Sequence, residues 1–422
     1  MGKALFMIVA GVCLLLFSGG VFSNGAGAQP TMLIETAAET APETAFGPGL
    51  EETVEAALAD AAATEDIIGL AAAVVRNGEV TLIRTYGPRA LGDDAPVDPH
   101  TTFRIASLSK GFAAGVVSQL VAEEKLSLEA GVARFAPTMQ LRDPAQTQRL
   151  TLEDILSHRT GLPPYAYDNL LEAGVAPAKI LGEYRKVDPI CAVGRCYAYQ
   201  NVAFDVVSNV VAAVDGRSYA EAVAARLFDP LGMSGASFGL EALTEDGNWA
   251  RPHKRRRGEA WRAGDVRRPY YGVPAAAGVN ASITDMAEWL KAQMGDAPAV
   301  LTPAMLDLAH TPRVATPGEI RRVRNIYTLD AAHYGLGWRV YDYRGARVVT
   351  HAGSVDDGYA AQIAFLPKED AGIVLLTNSR SRRFWEILPA FLDAKLCGET
   401  RKAADATDDS KDGVAPSIAG CA

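Results

Sequence analysis

Ser107-Leu108-Ser109-Lys110 places a hydroxyl and an amine three residues apart at the expected start of a helix. The apolar residues Phe112, Val116, Val117, Leu120 and Val121 recur at helical spacing behind it, and Phe103-Arg104-Ile105-Ala106 reads as a buried approach in front of it. Residues i and i+3 share a helix face, so the Lys110 amine can reach the Ser107 oxygen. A serine hydroxyl is a poor nucleophile until a base takes its proton, and a desolvated lysine can do that near neutral pH. Backbone N–H groups at the helix start would suit a developing oxyanion. Taken alone, an S-x-x-K match is common and means little.

Two further pieces carry compatible chemistry. Tyr199-Gln200-Asn201 precedes a helical stretch. A tyrosine beside a lysine ammonium has its phenolate favoured and can pass protons, and the Asn201 amide can grip both a carbonyl and the lysine. The structural alternative is a buried tyrosine followed by an N-cap asparagine. His351-Ala352-Gly353-Ser354 ends an apolar run. Gly353 would let a substrate backbone approach the strand edge, the Ser354 N–H would give a second oxyanion donor, and His351 would add a donor or positive charge opposite Ser107. A lone histidine at a strand end is more often structural.

These elements need a scaffold. The spacing predicts a helix from about Leu50 to Thr64 and two strands, Gly69 to Arg76 and Glu79 to Tyr86, joined by the hairpin signal Asn77-Gly78. From Ser127 to Ala332, helical stretches (Leu152 to Ser157, Ala203 to Val214, Tyr219 to Leu227, Thr284 to Met294) alternate with Pro- and Gly-rich connections, and strands are hard to find. Strand signals return at Gly335 to Tyr341, Ala346 to His351, Tyr359 to Leu366 and Ala371 to Thr377, before a helix from about Arg383 to Leu396. The expected fold class is α/β (α+β), a central antiparallel sheet flanked by helices with a large, mostly helical insertion. Residues 50–126 and 333–396 form the α/β part, 127–332 the insertion, and 397–422 a polar tail. The site then lies at the seam.

Lys3, the apolar run Ala4 to Phe17 and Ala26-Gly27-Ala28 read as a secretion signal over residues 1–28, and 29–49 as a linker. The expected location is secreted or periplasmic, with no stable membrane span once the signal is removed. The chain holds 41 Lys and Arg against 50 Asp and Glu, and loss of Lys3 makes it more acidic still, which argues against nucleic-acid binding. Cys191, Cys196, Cys397 and Cys421 remain after removal of the signal, an even count that suggests disulfides. Three pairings are possible, and proximity favours Cys191 with Cys196 and Cys397 with Cys421. No histidine sits at zinc-ligand spacing from them, and no metal is expected.

Together, S-x-x-K, Y-x-N and H-x-G in that order resemble the serine β-lactamase and penicillin-binding superfamily, especially its class C branch of β-lactamases, DD-peptidases, D-aminopeptidases and esterases. Leu156-Ser157-His158-Arg159-Thr160-Gly161-Leu162-Pro163 resembles that family's "LLSHTSGLP" turn, and Phe228-Asp229-Pro230-Leu231-Gly232-Met233 its "PLGM" element. Gly278-Val279-Asn280-Ala281-Ser282 with Asp285-Met286, apart from Ala277 at the first glycine of its pattern, and Tyr334-Gly335-Leu336-Gly337-Trp338, match two more patterns. The resemblance implies Ser107 as acylated nucleophile, Lys110 as the group that keeps it poised, Tyr199 as general base in acylation and helper in activating water for deacylation, and Asn201, His351, Gly353 and Ser354 as substrate-binding groups. No cofactor is implied. Substrates would be a β-lactam first, otherwise a D-Ala peptide, D-amino-acid peptide or small ester, with peptidoglycan as a partner; a non-hydrolytic penicillin-binding module is the alternative from another class. Lys-Thr-Gly is usual at the third motif of the β-lactamases, so His351-Ala352 reduces both charge and hydroxyl. The G-x-S-x-G elbow of other esterases is absent. The basic run Lys254-Arg255-Arg256-Arg257, with Arg262, Arg267 and Arg268, reads first as a solvated loop balanced by acids. Arg380, Arg382 and Arg383 read first as a solvated helix start, with a carboxylate-binding arginine near the pocket as the alternative. His158, Trp261, Trp289 and Trp338 read as structural.

Overall fold

A computed structural model describes residues 49–256 and 259–408, with side chains as far as residue 398. Its centre is an eight-stranded antiparallel sheet. In chain order the strands are β1 (Leu70–Arg76), β2 (Glu79–Tyr86), β3 (Val314–Ala315), β4 (Ala331–Tyr334), β5 (Arg339–Tyr343), β6 (Ala346–Ser354), β7 (Ala360–Leu366) and β8 (Ala371–Thr377). Their spatial order is β2-β1-β8-β7-β6-β5-β4-β3, which seats the first strand against the last. The hairpin forms as expected, with Asn77 and Gly78 both in the left-handed region that such a two-residue turn requires.

Strand β1 reads Leu-Ala-Ala-Ala-Val-Val-Arg and is buried on both faces. Successive side chains point to opposite sides of a strand, so Ala71, Ala73 and Val75 enter one core while Leu70, Ala72 and Val74 enter the other. The second core is capped by α1 (Leu50–Ala62), through Val54 and Leu58, and by the C-terminal helix through Phe384, Leu388 and Phe391. The first core is filled by α2 (Ser109–Ala122), α3 (Ile283–Met294) and the shorter helices of the middle region. Helix α2 is buried almost all round, so it is the central rod of this layer. Phe112 stacks on Trp289 of α3 with ring centroids 4.0 Å apart.

Several expected boundaries shift for physical reasons. Of the strand expected over Gly335 to Tyr341 only residues 339–341 are strand, and a further strand, Ala331–Tyr334, precedes it. Gly335-Leu336-Gly337 leaves the sheet because the Gly337 N–H bonds Leu156 O and the Leu336 N–H bonds Ala309 O. The middle region contains short strands: Phe103–Arg104 and Ser237–Phe238 flank Val279–Ala281, His253–Lys254 pairs with Arg262–Ala263, and Val314–Ala315 extends the main sheet at its edge. Two or three residues are too few to show an alternating pattern. Helix α4 (Arg382–Asp408) continues past Leu396, so the expected polar tail begins as helix. Cys191 and Cys196 are joined, Cys397 is also disulfide-bonded, and Cys421 lies outside the described residues, as do the signal and all of the linker but Gly49. No described helix is long and apolar enough to cross a membrane.

Candidate active site

Ser107 lies in a short 3-10 turn, Ala106–Leu108, that feeds directly into α2. The approach strand Phe103–Arg104 is pinned by pairing with Val279–Ala281. Arg104 is wholly buried, donating to Arg267 O at 2.8 Å, lying 3.3 Å from Asp357 and covering the Tyr271 ring at 3.9 Å. Ala106 has φ of +50°, a left-handed conformation that alanine adopts only when its surroundings impose it. The Ser109 hydroxyl helps impose it by donating to Ala106 O at 2.6 Å and accepting the Val279 N–H at 3.0 Å.

In a 3-10 turn residues i and i+3 lie nearly one above the other, and Lys110 Nζ is 3.5 Å from Ser107 Oγ. The amine is buried. It donates to Asn201 Oδ1 at 2.9 Å and to Ala276 O at 3.0 Å, and stands over the Tyr199 ring at 4.6 Å. Burial penalises the ammonium and brings the Lys110 pKa down to about 7, while Asp168 acts in the opposite sense. A neutral amine has two hydrogens and one lone pair. With both hydrogens committed, the lone pair is left for the Ser107 proton.

Tyr199 behaves differently from expectation. Burial drives its phenol well above the ordinary range, with Arg339 and hydrogen bonding to Ser107 opposing this only in part. The Lys110 amine lies over the ring face, 4.6 Å from its centroid. Tyr199 is therefore a neutral hydroxyl at working pH, able to relay a proton but a weaker base than Lys110. Asn201 bridges the site, accepting from Lys110 and donating Nδ2 to Asp168 Oδ2 at 2.7 Å.

The third motif is only partly at the surface. Ser107, Tyr199, Asn201, Ala352, Gly353 and Ser354 line one cleft of about 360 Å³. His351 does not line it. The imidazole is buried, within 3.0 Å of the Tyr334 hydroxyl through Nε2 and of Ala352 O through Nδ1, and desolvation beside Arg339 holds its pKa well below the ordinary value. It brings neither positive charge nor a donor to the cleft, which corrects the sequence expectation. Gly353 is also a glycine for another reason than expected. A Cβ there would stand 2.4 Å from Ile105 O and 2.9 Å from Ser107 N, so its bareness lets β6 press against the nucleophile's own backbone.

Sequence reading missed much of the rest of the cleft. Arg339, on β5, is buried 2.7 Å from Glu319 and covers the Tyr199 ring at 5.5 Å. Arg322 shares Glu319 at 2.7 Å. Asp168, Glu172 and Tyr270 also line the cleft, with the Tyr270 hydroxyl donating to Glu172 at 2.9 Å. None of these lies in a recognisable motif; only Arg339, one residue beyond Tyr334-Gly335-Leu336-Gly337-Trp338, had a sequence signal nearby. Arg380 lines the cleft, 3.6 Å from Asp356, while Arg382 and Arg383 pair with Glu386 on the helix surface. Among the described residues, none of the basic run lines the cleft. Arg255 pairs with Asp66, Arg262 with Glu259 and Arg268 with Glu241; Arg257 lies outside the described residues. Trp289 and Trp338 are packing residues, and Trp261 donates to Glu65 O at 2.6 Å.

An antiparallel sheet covered by helices on both faces, with a serine and a desolvated lysine one helical turn apart at the head of its central helix, defines a class of acyl-transfer fold. The Beta-lactamase family model matches residues 52–393, and this chain belongs to that family. It is 29% identical over 329 residues to unguisins hydrolase ungD' of Aspergillus campestris, covering 74% of this chain and 59% of the relative. It is 24% identical over 327 residues to protein flp of Staphylococcus aureus, covering 75% and 60%. The chain thus spans about three-fifths of the length of these curated relatives. The octameric penicillin-binding protein homologue from Pyrococcus abyssi superposes with a TM-score of 0.70 at 23% identity, over 80% of this chain and 76% of that one, and so shares the fold.

Proposed function

We propose that this chain is a serine hydrolase that works through an acyl-serine intermediate, with β-lactam amide hydrolysis of the class C type as its leading activity. The observation that carries the reading is the Lys110 amine, buried with both neutral hydrogens engaged and its lone pair left for Ser107 Oγ. Ser107 Oγ would attack the carbonyl as its proton passes to Lys110 Nζ. The N–H groups of Ser107 and Ser354 would receive the oxyanion. Collapse breaks the carbonyl bond to the leaving nitrogen or oxygen, which takes the proton back from Lys110 by way of the Tyr199 hydroxyl. Water then attacks the ester, loses its proton along the same route, and frees Ser107. Asn201, with one Nδ2 hydrogen not given to Asp168, would hold the substrate amide.

A second reading has its own support. The neutral, buried His351 gives the third motif no cation for a substrate carboxylate, which favours a carboxylesterase, or a D-Ala-D-Ala carboxypeptidase or D-aminopeptidase that reads its substrate elsewhere in the cleft. Similarity to a protein named a hydrolase supports turnover over a non-hydrolytic penicillin-binding module. The Cys191–Cys196 disulfide agrees with an oxidising, secreted or periplasmic setting. On this reading residues 1–28 are an export signal, residues 50–396 carry the activity, and peptidoglycan is a reachable partner. Purified protein mixed with a chromogenic cephalosporin, a labelled penicillin and a p-nitrophenyl ester separates these activities. Fast cephalosporin colour is expected. Stable label without colour would mean a trap or peptidase, and ester cleavage alone an esterase. Activity that survives Ser107→Ala would overturn the acyl-serine reading.

A further inference from the structure

Tyr334 closes β4 and is buried behind the cleft. Its hydroxyl lies 3.0 Å from His351 Nε2 and 3.2 Å from His158 Nε2. An imidazole nitrogen can donate or accept, so these two distances alone give no direction. The outer contacts do. The Gln200 N–H donates to His158 Nδ1 at 3.2 Å. That nitrogen therefore carries a lone pair, and the ring hydrogen sits on Nε2. His158 Nε2–H donates to the Tyr334 oxygen, and the single Tyr334 hydrogen goes on to His351 Nε2. The remaining His351 hydrogen, on Nδ1, donates to Ala352 O at 3.0 Å.

All the hydrogens in this row point one way, from the Gln200 amide to the Ala352 carbonyl. Gln200 stands between Tyr199 and Asn201, and Ala352 directly precedes Gly353 and Ser354. We infer that Tyr334 is a positioning residue whose one-way chain of hydrogen bonds locks the Tyr199–Asn201 segment to the β6 wall of the cleft, with His351 as its neutral acceptor. The inference rests on the acyl-serine reading for its effect on catalysis. It also accounts for the histidine at the third motif. His351 is faced by Arg339, Lys110, Arg322, Tyr199 and Tyr334, so a lysine there would bury another cation beside the buried Arg339 guanidinium. Desolvation holds both imidazoles well below their ordinary pKa, which keeps each ring to one hydrogen.

Nitrogen-15 NMR of the wild-type protein reads the row directly. His158 should carry its hydrogen on Nε2 and His351 on Nδ1, opposite tautomers in one molecule. The same tautomer on both rings, or a doubly protonated ring at neutral pH, would overturn the inference whatever the enzyme turns over. For catalysis, with p-nitrophenyl acetate as probe, Tyr334→Phe and His351→Leu should each lower kcat roughly tenfold with little change in KM. The double variant should be no worse than either single one, since both break the same row. His351→Gln keeps an acceptor toward Tyr334 and should recover most of the loss. Losses that multiply in the double variant would refute the coupling. If no ester or cephalosporin is cleaved and no penicillin label is retained, the acyl-serine reading fails, and the tautomers still decide the hydrogen-bond row.

Discussion

A single amine sets the working pH of the site. Lys110 can take the Ser107 proton only as a free base, and with its pKa brought down to about 7, kcat/KM should rise with pH through about 7 and then level. A pH–rate profile with a fast-acylating substrate checks this; an acid limb near 10 would contradict it. Replacing the amine by Lys110→Met should lower kcat by roughly 100- to 10,000-fold, the usual range for a lost general base. The same change should raise stability. Because the folded-state pKa lies below the unfolded value, the unfolded chain binds more protons between about pH 7 and the ordinary lysine value of 10.5, and stability climbs with pH across that window. At pH 7 the burial penalty is nearly full, so Lys110→Met should gain on the order of 1–3 kcal/mol and lose that pH dependence, read by denaturant melts at several pH values. The role of Lys110 was legible from its spacing to Ser107. The state of Tyr199 was not, because the sequence names a neighbour without saying whether it meets a ring face or a hydroxyl. His351 misled for a similar reason: its partner Tyr334 lies two strands away across the sheet and was visible only as part of a glycine-rich motif.

Elements position these groups by close backbone contact. Strand β6 rests on the 3-10 turn through Gly353, and the atoms that a Cβ would strike are backbone, which cannot rotate away. Gly353→Ala should therefore push β6 from Ser107, costing about 1–3 kcal/mol by overpacking and at least tenfold in kcat through the displaced amide. Paired melting curves and kinetics check this, and an active, stable Gly353→Ala protein would show that the contact is dispensable. Removing the tie between Cys191 and Cys196 by Cys→Ser at both should cost about 2 kcal/mol for so small a loop, measured by thermal unfolding. Most long elements could be read from periodicity: β1, β2, β8, α1 and α3 fall within a residue or two of their expected limits. What escaped were pieces whose reason is tertiary. Val314–Ala315 is a strand only because it meets β4, and Gly335–Gly337 leaves the sheet only because Leu156 and Ala309 offer carbonyls.

At the scale of the whole molecule the sheet separates a chemical layer from a supporting one. Leu388 lies in the core beneath α1 and α4, on the far face from the Ser107 cleft. Leu388→Ala should cost about 2–5 kcal/mol of stability and leave the kcat of the folded fraction unchanged, a pairing that calorimetry and active-site titration resolve together. The mixed architecture was legible because strand signals cluster at both ends of the chain and helical ones in its middle. The composition of the cleft was not, since Asp168, Arg339 and Arg380 meet there from three separate segments.

The register of β1 against β8, Leu70 opposite Thr377 through Arg76 opposite Ala371, has a bearing on biogenesis. More than three hundred residues must leave the ribosome before the first strand finds its inner neighbour, so contact order is high and closure comes late. A nascent chain that has already displayed Ser107 and Lys110 still lacks β6 and its oxyanion wall. Hydrolytic competence should thus appear only with full-length product, and truncated chains stalled before residue 371 should remain protease-sensitive and inert.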